Sequence, residues 1–277
     1  MSEAVPEGAL SRDASAKGSL VVVGTGIQLG RHISERAVSE IDAAEVLFTI
    51  TDGWALEWIR ARRADVVSLH ELYATGKDRR RTYREMHDRI LGEIRNGRQV
   101  CLALYGHPGI FAEVPHRVME EARQLGHRVR MEPGVSADGC LYADLGLDPG
   151  KRGMQSFEAT QFLVFDHTAN PAALLVLWQV ALAGDLSCAR FHAERDGVQA
   201  LVNKLRRWYP ADTECILYEA AQIPVTPFRA DRLRLDELPD AEYRQYTTLV
   251  IPPAREMEAD PEGLADIGAD VQALEKV

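Results

Sequence analysis

The chain has 277 residues, enough for two domains of ordinary size, and 46% of them are apolar, as in a globular protein with a substantial core. Its formal net charge of −10 argues against a nucleic-acid partner, which calls for a basic stripe that displaces phosphate counterions. The first eighteen residues lack the apolar core of a signal peptide, and the longest apolar run, 172–183, is too short for the ~30 Å hydrocarbon layer of a bilayer. A soluble cytoplasmic protein with no membrane association is therefore expected.

In chain order, residues 1–17 are small, polar and charged and read as a disordered tail. Ser19–Val23 is a short apolar run ending at Gly24, the pattern of a buried strand. Further strands are expected at 46–50, 66–69, 100–105 and 128–131, alternating with helices at 34–43, 54–62, 82–96 and 115–125. Gly97 and Gly126 stand just past the last two helices, where a left-handed cap is wanted. Tyr83, Met86, Ile90 and Ile94 form one helical stripe, which marks a buried face. The alternation predicts a mainly parallel sheet covered by helices, a domain spanning 18–150.

The pattern changes after Asp148-Pro149-Gly150. Strand-like runs at 162–165, 173–178, 215–218 and 247–251, with one clear helix near 198–208, predict a mixed, mostly antiparallel domain over 151–253. Pro252-Pro253 ends its last strand. In the remaining tail, 254–277, the stretch Leu264 to Val277 reads as a short amphipathic helix. Cys101, Cys140, Cys188 and Cys215 lie far apart in apolar surroundings, which suits buried reduced thiols rather than zinc ligands, and no metal is expected.

Three loops carry the functional signal. Gly24-Thr25-Gly26-Ile27-Gln28-Leu29-Gly30 follows a strand with the spacing of a nucleotide-binding turn, although such glycines also simply permit a sharp turn. Tyr105-Gly106-His107-Pro108-Gly109-Ile110-Phe111 follows another strand, at the end of the sheet where open α/β folds bind ligands. Pro133-Gly134-Val135-Ser136-Ala137-Asp138 repeats the arrangement one strand later, with Ser136 placed as a helix N-cap. Separately, 77–84 (KDRRRTYR) holds five cations and one acid in eight residues, either a surface for an acidic partner or a solvated helix start.

The two later loops, in this order, resemble the tetrapyrrole-methylase superfamily. The closer resemblance is to the borosin α-N-methyltransferases, which methylate backbone amides of a ribosomal precursor peptide. It extends over 18–253, through 73–79 (YATGKDR), 82–83, 105–111, 133–138, 143–149 (ADLGLDP), 156–163 (SFEATQFL) and 247–253 (TTLVIPP). A porphyrinoid methylase usually has an acid at the position of His107 and a Leu-Thr pair within the stretch 27–33. Their absence here favours the peptide-modifying branch.

The resemblance implies a two-domain α/β fold with S-adenosylmethionine folded in the interdomain cleft and S-adenosylhomocysteine as product. It places cofactor contacts at Tyr105, His107, Ile110, Phe111, Ser136 and Ala137, and in the second domain at Gln179, Tyr218, Ala220 and Thr247. It makes Arg79 the active-site arginine, flanked by Tyr73 and Tyr83. The sequence departs at His70, where fungal relatives carry a further catalytic tyrosine. These residue types suit the chemistry. An amide nitrogen shares its lone pair with the carbonyl, so methylation needs removal of its proton and donors or cations at the oxygen. A guanidinium can lower a tyrosine pKa, and histidine titrates near neutrality.

In the fused relatives the substrate peptide continues from the enzyme's own C-terminus, and 264–277 contains no long Val/Ile/Gly-rich stretch. A split enzyme acting in trans on a separate small precursor peptide is expected. The same resemblance implies a homodimer, with 70–97 clasping the partner subunit and the basic start of that segment docking an acidic leader. The alternatives are a methylase of the same fold acting on a tetrapyrrole-like or other small molecule, and a catalytically silent peptide-binding relative.

Overall fold

The computed structural model describes residues 17–28 and 30–276; apart from Lys17, the tail expected over 1–17 lies outside them, as do Leu29 and Val277. The described residues divide into two compact units, drawn from Met1–Cys140, Ser187–Ala189 and Ala220–Pro227, and from Leu141–Leu186, Arg190–Glu219 and Phe228–Val277.

The first unit alternates strand and helix. Its elements are β1 (Ser19–Gly24), α1 (Glu35–Ala43), β2 (Val46–Thr49), α2 (Gly53–Arg62), β3 (Val67–Ser68), a 3₁₀ turn (His70–Leu72), α3 (Arg79–Arg95), β4 (Gln99–Leu104), α4 (Glu113–Gln124) and β5 (Arg128–Glu132). The sheet order is β3-β2-β4-β1-β5, with every pairing parallel. Alternate strand residues serve opposite faces. Val23, Leu47, Cys101 and Ala103 pack with Ala37 and Ile41 of α1 and Ile59 of α2. Leu20, Val22, Leu102 and Leu104 pack with Met86, Ile90 and Ile94 of α3 and Val118 and Ala122 of α4.

Local signals set the helix ends. Ser34 caps α1 by accepting from the Ala37 amide, and Gly97 and Gly126 take positive φ after α3 and α4. Helix α3 starts at Arg79, three residues before the expected start, because Asp78 accepts from the Arg80 amide and nucleates a turn that the apolar pattern does not reveal. The segment 70–97, expected to clasp a partner, mostly builds its own unit: α3 buries Thr82, Met86, His87, Ile90, Leu91 and Ile94.

Helix α5 (Ala137–Leu145) crosses the division between units. The second unit continues with α6 (Pro149–Arg152), β6 (Met154–Glu158), α7 (Ala159–Val164), β7 (Leu174–Trp178), a 3₁₀ turn (Val180–Leu182), α8 (Arg195–Leu205), β8 (Glu214–Glu219), β9 (Arg229–Arg234), a 3₁₀ helix (Leu235–Asp240), β10 (Thr248–Ile251), α9 (Pro261–Asp266) and a last 3₁₀ stretch (Val271–Lys276). Its sheet, β6-β7-β10-β8-β9, is mixed: β6 runs parallel to β7, and the other three pairings are antiparallel.

Three expectations are corrected here. The strand expected at 162–165 is instead part of helix α7. Glu158 accepts from the Gln161 amide at its start, and the buried Lys204 ammonium donates to the carbonyls of Phe162, Leu163 and Phe165 at its end. A tertiary cap thus decides a short apolar run that the sequence leaves ambiguous. The tail helix expected over 264–277 is two short pieces, with Gly268 at φ 67° between them. Cys101, Cys140 and Cys215 are buried free thiols, whereas Cys188 is half-buried.

At Gly24, an added Cβ would meet Gly106 oxygen, and it would lie 2.8 Å from Pro108 Cδ and 2.9 Å from Gly134 Cα. At Gly92, within α3, an added Cβ meets nothing within 4 Å. Gly24→Ala should therefore cost about 1–3 kcal/mol in urea unfolding, as overpacking does. Gly92→Ala should raise stability by about 0.5–1 kcal/mol, because only the unfolded chain loses freedom.

Candidate functional site

The chain leaves the neighbouring strands β1 and β4 toward opposite faces of the sheet, to α1 and to α4. This divergence opens a crevice at the carboxyl ends, the position where open α/β sheets bind ligands. The two loops are tied across it by a bridge: the Gly106 amide donates to Gly26 oxygen at 2.9 Å, and the Gly26 amide to Gly106 oxygen at 3.3 Å. The 133–138 loop closes against both, since Gly134 Cα sits where a Gly24 side chain would go. The glycines of 24–26 and 134 thus serve close backbone approach.

On this base the 105–111 loop is held in a defined shape. His107 Nδ1 accepts from the Gly109 amide at 3.1 Å, which leaves the proton of a neutral ring on Nε2. His116 of α4 donates to Gly109 oxygen at 2.9 Å. Tyr105, Ile110 and Phe111 remain 51%, 43% and 55% exposed, and Phe111 has φ 49°, an uncommon conformation for a bulky side chain. Large flat groups held in solvent on a strained loop form a surface suited to a flat heterocyclic ligand. Ser136 takes the N-cap position of α5 by backbone, its carbonyl accepting from the Cys140 amide, but its hydroxyl donates to Asp138 instead of accepting from a helix amide. Ala137 is the first residue of α5, half-buried.

The second expected group also assembles in the first unit. The rings of His70 and Tyr73 have centroids 5.3 Å apart, and those of Tyr73 and Tyr83 are 6.3 Å apart and perpendicular. Tyr73 and Tyr83 pack on the core cluster that includes Leu104 and Ala112, the residues bracketing the 105–111 loop. Arg79 and Tyr83 share a face of α3, and the Arg79 charge acts on Tyr73. Burial pushes the Tyr73 phenol well above its usual range, reinforced by Tyr83; the Arg79 guanidinium opposes the shift but is the smallest of the causes. The arginine thus lowers the Tyr73 pKa as expected, but burial outweighs it and the net shift is upward. Much of the basic stretch is internally paired: Arg80 with Asp78, and Lys77 and Arg81 with Glu85.

In the second unit, Gln179, Tyr218 and Thr247 come together at one end of the sheet. Gln179 follows β7 in the left-handed region, φ 55°, and the next amide, Val180, donates to Thr247 oxygen at 3.3 Å. Tyr218 lies opposite Thr248 in the ladder and donates to Asp144 at 2.7 Å. Thr247 is fully buried; its hydroxyl donates to Glu219 at 2.6 Å and accepts from the Arg244 amide at 2.8 Å. That hydroxyl is committed within the protein. Glu219, only 3% exposed and also bound by Arg229 and Arg244, was missed in the sequence; an acid closing the apolar run 215–218 was its one signal. Ala220 falls in the 220–227 stretch of the first unit. Among the described residues, no His, Cys, Asp and Glu side chains group as a metal site, and no helix is long and apolar enough to cross a membrane.

Crossed loops at the carboxyl ends of a parallel sheet, joined in the chain to a mixed second sheet, define a class of α/β ligand-binding folds. The tetrapyrrole (corrin/porphyrin) methylase family model matches residues 19–224, and the chain belongs to that family. It is 35% identical over 243 residues to a methyltransferase/ribosomally synthesized cyclic peptide gymnopeptides precursor of Gymnopus fusipes, covering 85% of this chain and 57% of that protein. The figures are the same for the omphalotin A precursor methyltransferase of Omphalotus olearius, apart from 58% coverage of that protein. The chain thus spans little more than half the length of these curated relatives. In fold it is similar to uroporphyrin-III-C-methyltransferase from Thermus thermophilus, with a TM-score of 0.61, 19% identity and coverage of 86% and 93% of the two chains. A cobalt precorrin-4 methyltransferase of cobalamin biosynthesis gives a TM-score of 0.62 at 15% identity, over 88% and 98%.

The raised Tyr73 pKa has a measurable consequence. Because the folded state prefers the neutral phenol, this residue's stabilising contribution is complete below the unfolded value of about 10 and is lost as the pH rises further. In a spectrophotometric pH titration of folded protein, wild type and Tyr73→Phe should show the same phenolate absorbance up to about pH 11.

Proposed function

We propose that this chain uses S-adenosylmethionine to methylate backbone amide nitrogens of a ribosomal peptide. The observation that carries the reading is the Arg79–Tyr73–Tyr83–His70 group, assembled in a unit whose fold is shared with methylases of small molecules. The similarity to methyltransferases whose names join them to cyclic-peptide precursors supports the same reading.

The exposed rings of Tyr105 and Phe111, with Ile110, suit the flat faces of an adenine, and the amides and hydroxyl around Ser136 and Ala137 suit polar groups of the same cofactor. Bound there, the cofactor supplies a sulfonium methyl, already a good electrophile. The work left to the protein is on the amide. Arg79, always cationic, holds the peptide oxygen as negative charge develops on it, and the neutral Tyr73 phenol donates a hydrogen bond to the same atom. Tyr83 fixes Tyr73 in position. The proposal includes a homodimer and action on a separate precursor peptide.

The test is mass spectrometry of a small protein encoded beside this one, coexpressed with it. Mass gains in steps of one methylene, placed on backbone nitrogens by fragmentation, support the reading. Gains on the enzyme chain itself instead would show action in cis, and no gain from a cofactor-loaded enzyme would favour a small-molecule substrate. Arg79→Met should lower turnover about 100- to 1000-fold, the scale of losing an oxyanion partner, while cofactor affinity measured by calorimetry stays unchanged.

A further inference from the structure

We propose that Asp52 is a positioning residue that holds His70 in the tautomer able to accept the amide proton. This rests on the peptide-methylating reading above. The sheet topology produces the pair: β2 and β3 are adjacent and parallel, with Thr49 opposite Ser68. Asp52 lies three residues beyond one strand end and His70 two beyond the other, so their loops emerge side by side. Asp52 Oδ2 stands 3.6 Å from His70 Nε2.

Asp52 occupies the N-cap position of α2, where an aspartate ordinarily bonds the helix amides and contributes about 1 kcal/mol. Here it makes no side-chain capping bond. Gly53 follows with φ 49° in open space, and this turn lets the chain enter the helix while the carboxylate faces the neighbouring loop. The other charged groups nearby are engaged elsewhere: Glu71 with Arg60, and Lys77 with Leu72 oxygen and Glu85.

The pair is continuous with the candidate catalytic group, since the His70 ring lies 5.3 Å from Tyr73. Arg79 has no lone pair with which to take a proton, and burial keeps the Tyr73 phenol protonated. Histidine has a nitrogen lone pair to offer, provided its single proton is on the other nitrogen. A carboxylate beside Nε2 draws the proton there and leaves Nδ1 open. In the reaction the amide N–H bond breaks, its electron pair stays on nitrogen, and the proton passes to Nδ1. That pair forms the new N–C bond as the S–C bond breaks with its electrons retained by sulfur. His70 is 44% exposed at its side chain and returns the proton to water.

Nitrogen NMR of ¹⁵N-histidine-labelled protein reads the tautomer with neither cofactor nor substrate present, His70→Gln identifying the resonance. Wild type should show His70 protonated on Nε2. Asp52→Asn, whose amide donates to Nε2, should move the proton to Nδ1, and Asp52→Glu should keep it on Nε2. In the coexpression assay Asp52→Asn should slow methylation at least tenfold at unchanged cofactor affinity, with Asp52→Glu largely restoring it. The same tautomer in wild type and Asp52→Asn overturns the proposal, as does full methylation by His70→Gln or Asp52→Asn. A folded wild type that methylates no peptide overturns the functional reading, and the role of Asp52 with it, whatever the tautomer.

Discussion

Three strand ends of the first unit approach so closely that backbone meets backbone. Gly24 at the end of β1, Gly106 after β4 and Gly134 after β5 occupy a space that leaves no room for side chains at the first and last of them. The bridge between Gly26 and Gly106 spans the crevice that the diverging loops would otherwise leave open. With the floor built from backbone contacts, the side chains on the 105–111 loop need not pack inward. Tyr105, Ile110 and Phe111 stay exposed, and the loop bearing them is pinned by His107 and His116 instead of by burial of its own apolar groups.

The polar groups divide according to their surroundings. At Tyr73, desolvation outweighs the field of Arg79, so the phenol holds its proton. At Thr247, the hydroxyl is taken up by the buried Glu219 carboxylate and the Arg244 amide, while the side chains of Arg229 and Arg244 pair with Glu219 itself. Glu219 is tolerated in the interior because it is paired with cations and hydrogen-bonded together. The non-glycine positive-φ positions among the described residues are Phe111, Gln179 and Cys188. Two of these three are residues that the family resemblance marks as cofactor contacts, and strain of this kind persists only where the surrounding structure imposes it.

Legibility in the sequence varied with the physical source of each feature. Strands β1, β2 and β4 were legible because each is a short apolar run, and α1, α3 and α4 because an apolar stripe with a cap or a following glycine marks them, the start of α3 excepted. Strand β6 (MQSFE) is half-buried and lacks an apolar run, and β9 (RADRLR) is an edge strand rich in charge, so neither declared itself. Helix α7 depends on Lys204, forty-odd residues downstream, which no local pattern reveals.

Composition and periodicity by themselves determined the α/β class and the parallel and mixed sheets, while the quoted motifs carried the family resemblance, and it was that resemblance that marked Arg79, Tyr73, Tyr83 and His70. Those are properties of local propensity and of residue type at fixed spacing. Tertiary structure alone decided which groups share an environment: that Asp52 faces His70, that burial rather than arginine governs Tyr73, and that Thr247 spends its hydroxyl on Glu219. These outcomes depend on distance and desolvation, which the order of residues along the chain does not express.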